Sequence, residues 1–434
     1  MTNTAPLKKR KRANPFAQLI ATQVDEASSL WLLRSAATKQ AHHNQASLHK
    51  LDTRINKHIS ALLLHSEDAW TAAFNTAQDG FPSDVFILII LAFISGDVKK
   101  IQQATEVAIL STAHIQSASS ALTWLPNNTT KSWLSKFLAS KDLRHKQLAL
   151  TILSVRRINP GDYLDQLLNR DDCIEDKALY TRALRLTGEL KRHDLQIAIA
   201  RGMGAEDEEI AFWAYWSNIL NGGRAALEKL TTIAMQLGSL QLKAIDILLR
   251  ILPPNDARKW ISKLSAQPDQ FRQLVQASAA LGDPQVIPWL INSMKTQSNA
   301  RICAQAFTTI TGIDLEEQAL TSEVPSLEER IAAEPEDMDE ALKDEHLPWP
   351  DAEKIAAAWQ GWQGGFVNGT RYLLGRPIDA THLQSVLKHA NQCHRHDAAL
   401  ELALLNPQTI LPNIKASTCK MIIPNHASHP GSSA

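Results

Sequence analysis

The chain has 434 residues, of which 44% are hydrophobic and 21% are charged, and its 45 basic side chains equal its 45 acidic ones. This balance removes the overall positive field with which proteins that bind nucleic acid or anionic membranes usually attract phosphates. The four cysteines are widely spaced and form no CxxC pair, so they predict neither a zinc ribbon nor a disulfide framework and suit a cytoplasmic location.

The chain begins with residues 1–15, which we expect to be a disordered tail carrying the basic run Lys8 to Arg12. Such a run could be a nuclear import signal or a nucleic-acid arm, although a solvated tail is the simpler interpretation. The apolar periodicity of residues 16–120 predicts a helical region, with an amphipathic helix over Leu48 to Leu64. The apolar run Val85 to Ile94 is shorter than the about 20 residues of a membrane span, so we expect a buried helix and no membrane span.

Residues 121–313 are repetitive, with apolar helices that recur in steps of 29, 33, 33, 33 and 27 residues. The helices are identified by alanines at comparable places: Ala149, Ala178, Ala211, Ala244, Ala277 and Ala304. A pair of short helices with its turns occupies about 30 residues. One pair cannot bury its apolar stripe alone, so successive pairs must stack. We therefore predict an all-α fold, an α-solenoid of HEAT-like helix pairs with an extra N-terminal helical region and a short helical C-terminal unit.

The composition changes after Gly312. Thirteen acidic residues and only two basic ones lie between Asp314 and Glu345. We therefore predict that residues 314–349 form an acidic, partly ordered connector. We predict that residues 350–412 form the short C-terminal helical unit. Residues 413–434, which contain several proline, serine and histidine residues, predict a disordered tail.

Five short motifs lie between residues 282 and 403. The most distinctive is Gly369-Thr370-Arg371-Tyr372-Leu373-Leu374-Gly375-Arg376-Pro377, and the others are Gly282 to Leu290, Ile310 to Leu315, Leu347 to Asp351 and Arg395 to Ala403. Together they resemble an uncharacterised bacterial family of HEAT-repeat proteins, some of which are encoded near type VI secretion genes. The resemblance implies a bacterial cytoplasmic protein and supplies no catalytic residues.

Cys393, His394 and His396, with His389 and His382 nearby, have the chemistry of metal ligands. Cys393 lies three residues before His396 and four after His389, so each pair shares a helical face. No second CxxC or HExxH motif completes a zinc set. The sequence also lacks a GxSxG elbow, a Walker loop and a kinase signature. We therefore expect no bound metal, no cofactor and no catalytic residues.

Six residues are candidates for binding a partner or for clamping the chain to itself: Trp349, Trp359, Trp362, Arg371, Tyr372 and Arg376. The tryptophans flank several glycines and could be exposed anchors of an interface or a small aromatic core that caps the array. The arginines could recognise an acidic partner segment through their guanidinium forks. We expect instead that Arg371 and Tyr372 dock the chain's own acidic connector, because the connector is tethered nearby.

These observations favour a non-enzymatic protein-binding scaffold or adaptor. The family resemblance adds an association with a type VI secretion system, whose components or cargo would then be the partners; a regulatory or immunity-type binder differs only in its partner. The alternative is a nucleic-acid-acting HEAT-like enzyme of the DNA glycosylase kind. Such an enzyme holds phosphates on a basic concave surface, which a neutral chain disfavours, so we expect no nucleic-acid partner.

Overall fold

Helices make up most of the described chain in a computed structural model, which confirms the predicted all-α class. The structure describes residues 16–78, 80–326, 328, 331 and 338–418. The basic run at Lys8 and the last sixteen residues of the chain lie outside this part. The described chain forms two compact units, one made of residues 16–34 and 49–139 and the other of residues 35–48 and 140–418.

The first compact unit is built from the first seven helices, of which the last turn of α1 and the first turn of α2 belong to the second unit. Their bounds are α1 (Ala17–Ala37), α2 (Gln45–Leu63), α3 (Ser66–Ala77), α4 (Pro82–Ser95), α5 (Val98–Ala108), α6 (Thr112–Trp124) and α7 (Asn127–Ala139).

Helix α4 is the core of the first unit. Every residue from Asp84 to Phe93 is buried, because α3, α5 and α6 all pack against it. A helix that is apolar around its whole circumference is stable only when it is enclosed in this way. Asp97 and Ser111 accept backbone hydrogen bonds at the starts of α5 and α6, which satisfies amides that have no intrahelical acceptor. Within the described part of the chain, no helix is both long and apolar enough to cross a membrane.

The second unit begins with twelve helices. They are α8 (Leu143–Arg156), α9 (Asp162–Leu168), α10 (Asp171–Glu175), α11 (Lys177–Glu189), α12 (Gln196–Met203), α13 (Glu208–Leu220), α14 (Leu227–Met235), α15 (Gln241–Ile251), α16 (Pro254–Leu264), α17 (Phe271–Leu281), α18 (Ile287–Ser293) and α19 (Gln297–Thr311).

Six of these helices pack in series and form what we call the central row: α8, α11, α13, α15, α17 and α19. The intervening helices α9, α12, α14, α16 and α18 each pack against the next member of the row. All six alanine-marked helices of the sequence analysis belong to the central row. Five of the six alanines are buried, but Ala178 is exposed in the first turn of α11, where Ala183 takes the buried place. The six predicted helices therefore pack one after another in chain order, with a shift of register at α11.

The rest of the second unit contains shorter elements. They are α20 (Met338–Asp344), α21 (Ala352–Trp362), β1 (Tyr372–Leu373), β2 (Arg376–Pro377), α22 (Ala380–His389) and α23 (Gln392–Leu405). Strands β1 and β2 pair antiparallel as a hairpin, with Tyr372 opposite Pro377. Helices α22 and α23 pack against each other over Leu383, Val386 and Leu402.

The compact units differ in two ways from the domain bounds expected from the sequence. The first unit extends past residue 120 to Ala139, because α6 packs closely on α4 and α7 also contacts it. The segment 350–412 shares a compact unit with the central row, because α23 packs against α13 and α15. In the acidic connector, Leu315 and Leu320 are buried in the same core as α19.

Candidate functional site

The six candidate residues differ in how far they are exposed. Trp359 and Tyr372 are each only 5% exposed, whereas Arg376 is exposed on β2. The remaining three, Trp349, Trp362 and Arg371, are partly buried. Most of this set is therefore occupied by contacts within the second compact unit.

The β1–β2 hairpin closes the C-terminal ends of α17 and α19. The last carbonyl groups of a helix lack intrahelical donors, so a helix end that is buried needs donors from elsewhere. The hairpin supplies three backbone amides, which donate from Tyr372 to Gly282 at 2.8 Å, from Leu374 to Thr309 at 2.7 Å and from Gly375 to Ile310 at 3.0 Å. The most distinctive motif of the sequence is thus a capping element for two helices of the central row.

Two glycines allow the hairpin to approach the helix ends. Gly282 and Gly312 follow α17 and α19 with φ angles of +71° and +69°, which favour glycine. A Cβ atom on Gly282 would lie 2.3 Å from the carbonyl oxygen of Tyr372, and one on Gly312 would lie 2.6 Å from that of Leu374. These positions therefore require glycine both for their backbone conformation and for the close contact.

The guanidinium group of Arg371 holds three elements together. It donates hydrogen bonds from Nη1 to the carbonyl of Arg250 at 2.8 Å, from Nε to that of Leu281 at 3.0 Å and from Nη2 to that of Ala280 at 3.1 Å. Nη2 also pairs with Oε1 of Glu401, a residue of α23 whose side chain is 2% exposed. One side chain thus caps α15 and α17 and joins both of them to the last helix.

The expected contact between Arg371 and the acidic connector is wrong, because the partners of Arg371 are helix carbonyls and Glu401. Arg272 of α17 pairs instead with the described part of the connector, with its Nε 2.8 Å from Glu340 and its Nη2 against Asp344. The carbonyl of Asp344 also accepts a hydrogen bond from Arg301 at 2.9 Å. Spacing along the chain could not distinguish these arginines, because the choice depends on which helix face meets the connector.

Trp359 belongs to an aromatic core at the end of the central row. Its ring lies 6.0 Å from that of Phe307 and 5.2 Å from that of Phe366, which in turn lies 5.0 Å from the ring of Tyr372. Trp362 packs, partly buried, against the same cluster. Trp349 lies apart from this cluster, with the guanidinium of Arg301 4.6 Å from its ring centroid. Trp359 is thus a residue of an aromatic core and not an exposed anchor. Trp362 is only partly buried and remains partly accessible.

A buried ionic network joins α15 to α23. Arg250, whose side chain is 4% exposed, pairs with Glu401 at 3.1 Å, Asp397 at 2.6 Å and Asp246 at 2.9 Å. Burial disfavours the charge of Arg250, but the three carboxylates outweigh it and raise its pKa above the ordinary value. Arg371 completes the network through Glu401. Removing one member of such a network is costly, because its partners remain buried and charged.

A second ionic cluster lies at the C-terminal end of α11, around Glu189. This carboxylate is 1% exposed and lies 2.6 Å from Arg182, 3.0 Å from Arg185 and 3.4 Å from Arg157. Burial raises its pKa, but the three guanidinium groups outweigh burial and lower it to about 2. Sequence reasoning missed this cluster, although Arg182, Arg185 and Glu189 have the i, i+3 and i+7 spacing of one helical face.

The segment 406–418 leaves α23 without helical structure and lies against α8 and α11. Leu411 donates its amide to the carbonyl of Glu189 at 3.0 Å and accepts a hydrogen bond from Arg157 at 2.6 Å. Asn413 donates to the carbonyl of Val155 at 2.6 Å, and Ile414 is 8% exposed. The expected disordered tail therefore does not begin at residue 413; of it, residues 419–434 lie outside the described chain.

The cysteine and histidine residues near residue 393 do not converge on one point. Each has a separate contact: His382 with the carbonyl of Leu373 at 2.7 Å, His389 with that of Ser385 at 3.0 Å, Cys393 with that of Lys39 at 3.3 Å, His394 with Thr309 at 3.2 Å and His396 with Asp246 at 3.2 Å. Throughout the part of the chain that the structure describes, no three His, Cys, Asp or Glu side chains form a group that could hold a metal ion.

A comparison of this chain with models of known protein families and with curated proteins finds no match.

Proposed function

We propose that this protein is a non-enzymatic scaffold or adaptor that binds other proteins along its central row of helices. The observation that carries the proposal is the seating of segment 406–418 on α8 and α11. There a non-helical stretch of chain is held through the backbone of Leu411, whose amide donates to Glu189 of α11 and whose carbonyl accepts from Arg157 at the end of α8. Backbone recognition of this kind suits extended segments of many sequences, because it does not depend on their side chains.

The motifs that resemble those of the secretion-associated family support the same proposal. The hairpin after Gly369 caps α17 and α19, and Arg371 joins α15, α17 and α23. These contacts restrain the end of the central row that contains α15, α17 and α19, and they do not create a reactive group. A stack of helices that is held rigid at one end offers a preorganised surface, which reduces the entropy lost on binding. We infer that the partners belong to a bacterial type VI secretion apparatus or its cargo and that the protein acts in the cytoplasm.

Affinity capture from the native cell tests this function. Full-length protein with a cleavable tag is expected to retain one or a few proteins in near-stoichiometric amount. Each purified partner is then expected to form a complex of defined mass with the chain in light scattering after size exclusion. A chain that elutes alone with every purified candidate contradicts the scaffold function. Release of a damaged base from duplex DNA by the purified chain would support the glycosylase alternative instead.

A further inference from the structure

Arg185 has features of a side chain prepared for an external ligand. It lies in the middle of α11 with 40% of its side chain exposed, and its guanidinium group is 4.5 Å from the ring centroid of Trp213 in α13. Its Nε is 3.0 Å from Glu189, but this ion pair lacks hydrogen-bond geometry, and Arg185 donates no hydrogen bond to any other residue that the structure describes. Stacking on the ring orients the guanidinium plane while its terminal N–H groups stay available.

Positive charge is in excess around Arg185. Arg157 and Arg182 share the single carboxylate of Glu189 with it, so three guanidinium groups face one buried acid. The exposed Lys243 extends the positive surface onto α15. Burial, together with the nearby charge of Arg185, lowers the pKa of Lys243. The cluster therefore has more positive charge than its own carboxylate can balance, and an added anion would relieve the repulsion.

We propose that Arg185, Trp213 and Lys243 form a docking site for an acidic segment of a partner protein. A partner carboxylate accepts the free guanidinium donors of Arg185, while the ammonium group of Lys243 neutralises a second acidic side chain. The proposal rests on the protein-binding function proposed above and assigns it a class of partner.

Two observations favour protein carboxylates over the phosphates of a nucleic acid. Glu189 is itself a carboxylate, and it lies 2.6 Å from Arg182 and 3.0 Å from Arg185, so this cluster already accommodates an acidic side chain. An acidic side chain also borders the site, because the partly exposed Glu209 lies one turn before Trp213 and its charge acts on Lys243. A nucleic acid needs a continuous basic track for consecutive phosphates, which Glu209 interrupts. A short acidic peptide can place one or two carboxylates beside it.

The test measures the binding of fluorescein-labelled octaglutamate to the full chain by fluorescence anisotropy at low salt, with octaglutamine as the neutral probe. Octaglutamate is expected to bind and octaglutamine is not. Arg185→Gln and Lys243→Gln are each expected to weaken octaglutamate binding about fivefold or more, as for the loss of one charge pair. Arg224→Gln and Lys229→Gln remove the same charges from exposed positions outside the site, and they should change the affinity less than about twofold.

Several results would overturn the proposal. The first is that octaglutamate does not bind to the chain. The second is that all four variants reduce the affinity for octaglutamate by the same factor. A third is a 16-base-pair DNA duplex that displaces octaglutamate more strongly than unlabelled octaglutamate does, because the site would then be a phosphate site. If Arg185→Gln fails to fold, Lys243→Gln still tests the site. Its exposed side chain donates a hydrogen bond only to the carbonyl of Ser239 within the described chain, so its loss should leave the fold intact. If partner capture succeeds while octaglutamate fails to bind, only the docking site is refuted and the scaffold function stands.

Discussion

Arg371 and Glu401 form an ion pair that joins the start of the β1–β2 hairpin to the middle of α23, and the carboxylate of this pair is almost closed to solvent. Glu401 also pairs with Arg250, so the same carboxylate links the hairpin, α15 and α23. The three carbonyl groups that accept from Arg371 lie at the ends of α15 and α17. Arg371 and Glu401 therefore hold the hairpin, α15, α17 and α23 together within the second compact unit.

Arg371→Ala is expected to lower the free energy of unfolding by about 3 kcal/mol, because it leaves buried carbonyls and a buried carboxylate without their donor. Urea denaturation measures this change. Arg376→Ala is the matched control, since Arg376 is an exposed arginine of the same hairpin, and it should change stability by less than about 0.5 kcal/mol. High salt should alter the difference little, because buried pairs are poorly screened. An Arg371→Ala protein of full stability that no longer captures its partner would place the binding site on this motif.

Gly282→Ala is expected to destabilise the protein by about 2 kcal/mol or more, since it combines a left-handed backbone with a 2.3 Å approach to the carbonyl of Tyr372. Thermal unfolding followed by circular dichroism measures the effect. Gly361→Ala in α21 is the control, because its added Cβ would meet no atom within 4 Å beyond its chain neighbours and the backbone of its own helix. That change should raise stability by up to about 1 kcal/mol, since alanine favours a helix over glycine. Equal behaviour of the two variants would show that the hairpin does not need its close contact with α17.

Glu189 predicts a loss of stability in acid. Its folded-state pKa of about 2 lies below the ordinary value of 4.5, so the unfolded chain binds an extra proton between these values. The stabilisation by this carboxylate is therefore complete above pH 4.5 and is lost as the pH falls toward 2, with a magnitude on the order of 3 kcal/mol. Denaturant unfolding as a function of pH should show a steeper decline for the wild type than for Glu189→Gln. Parallel curves for the two proteins would remove Glu189 as the source.

The two tryptophans of α21 should respond differently to truncation. Trp359→Ala is expected to cost about 3 to 5 kcal/mol, because the side chain is buried between Phe307 and Phe366. Trp362→Ala should cost less, because this side chain is only partly buried. We expect Trp362→Ala to lose partner capture as well, since partly exposed aromatic residues are common anchors of interfaces. Urea denaturation and affinity capture together measure both effects, and unchanged capture by Trp362→Ala would exclude Trp362 from the interface.

The sequence by itself determined the class of the fold and the helices of the central row. Their period is local, because each helix must bury one apolar stripe and so repeats its pattern every 3.6 residues. The buried α4 was predictable for the same reason, since ten consecutive apolar residues cannot face water. Capping signals such as Asp97 and Gly282 are also local, because they act on backbone groups within a few residues.

Only the tertiary structure decided which distant residues meet. The partner of Arg371 is Glu401, thirty residues along the chain, and the connector is held by Arg272, which no motif distinguished. The docking site is of the same kind, because Arg185 and Trp213 come from successive helices of the row. A guanidinium group can pair with any acidic side chain that packing brings within about 4 Å. The chain has many acidic residues, and their spacing along the sequence does not show which of them will pair with a given arginine. Packing of helix faces makes that choice, and it acts over distances that sequence periodicity does not encode.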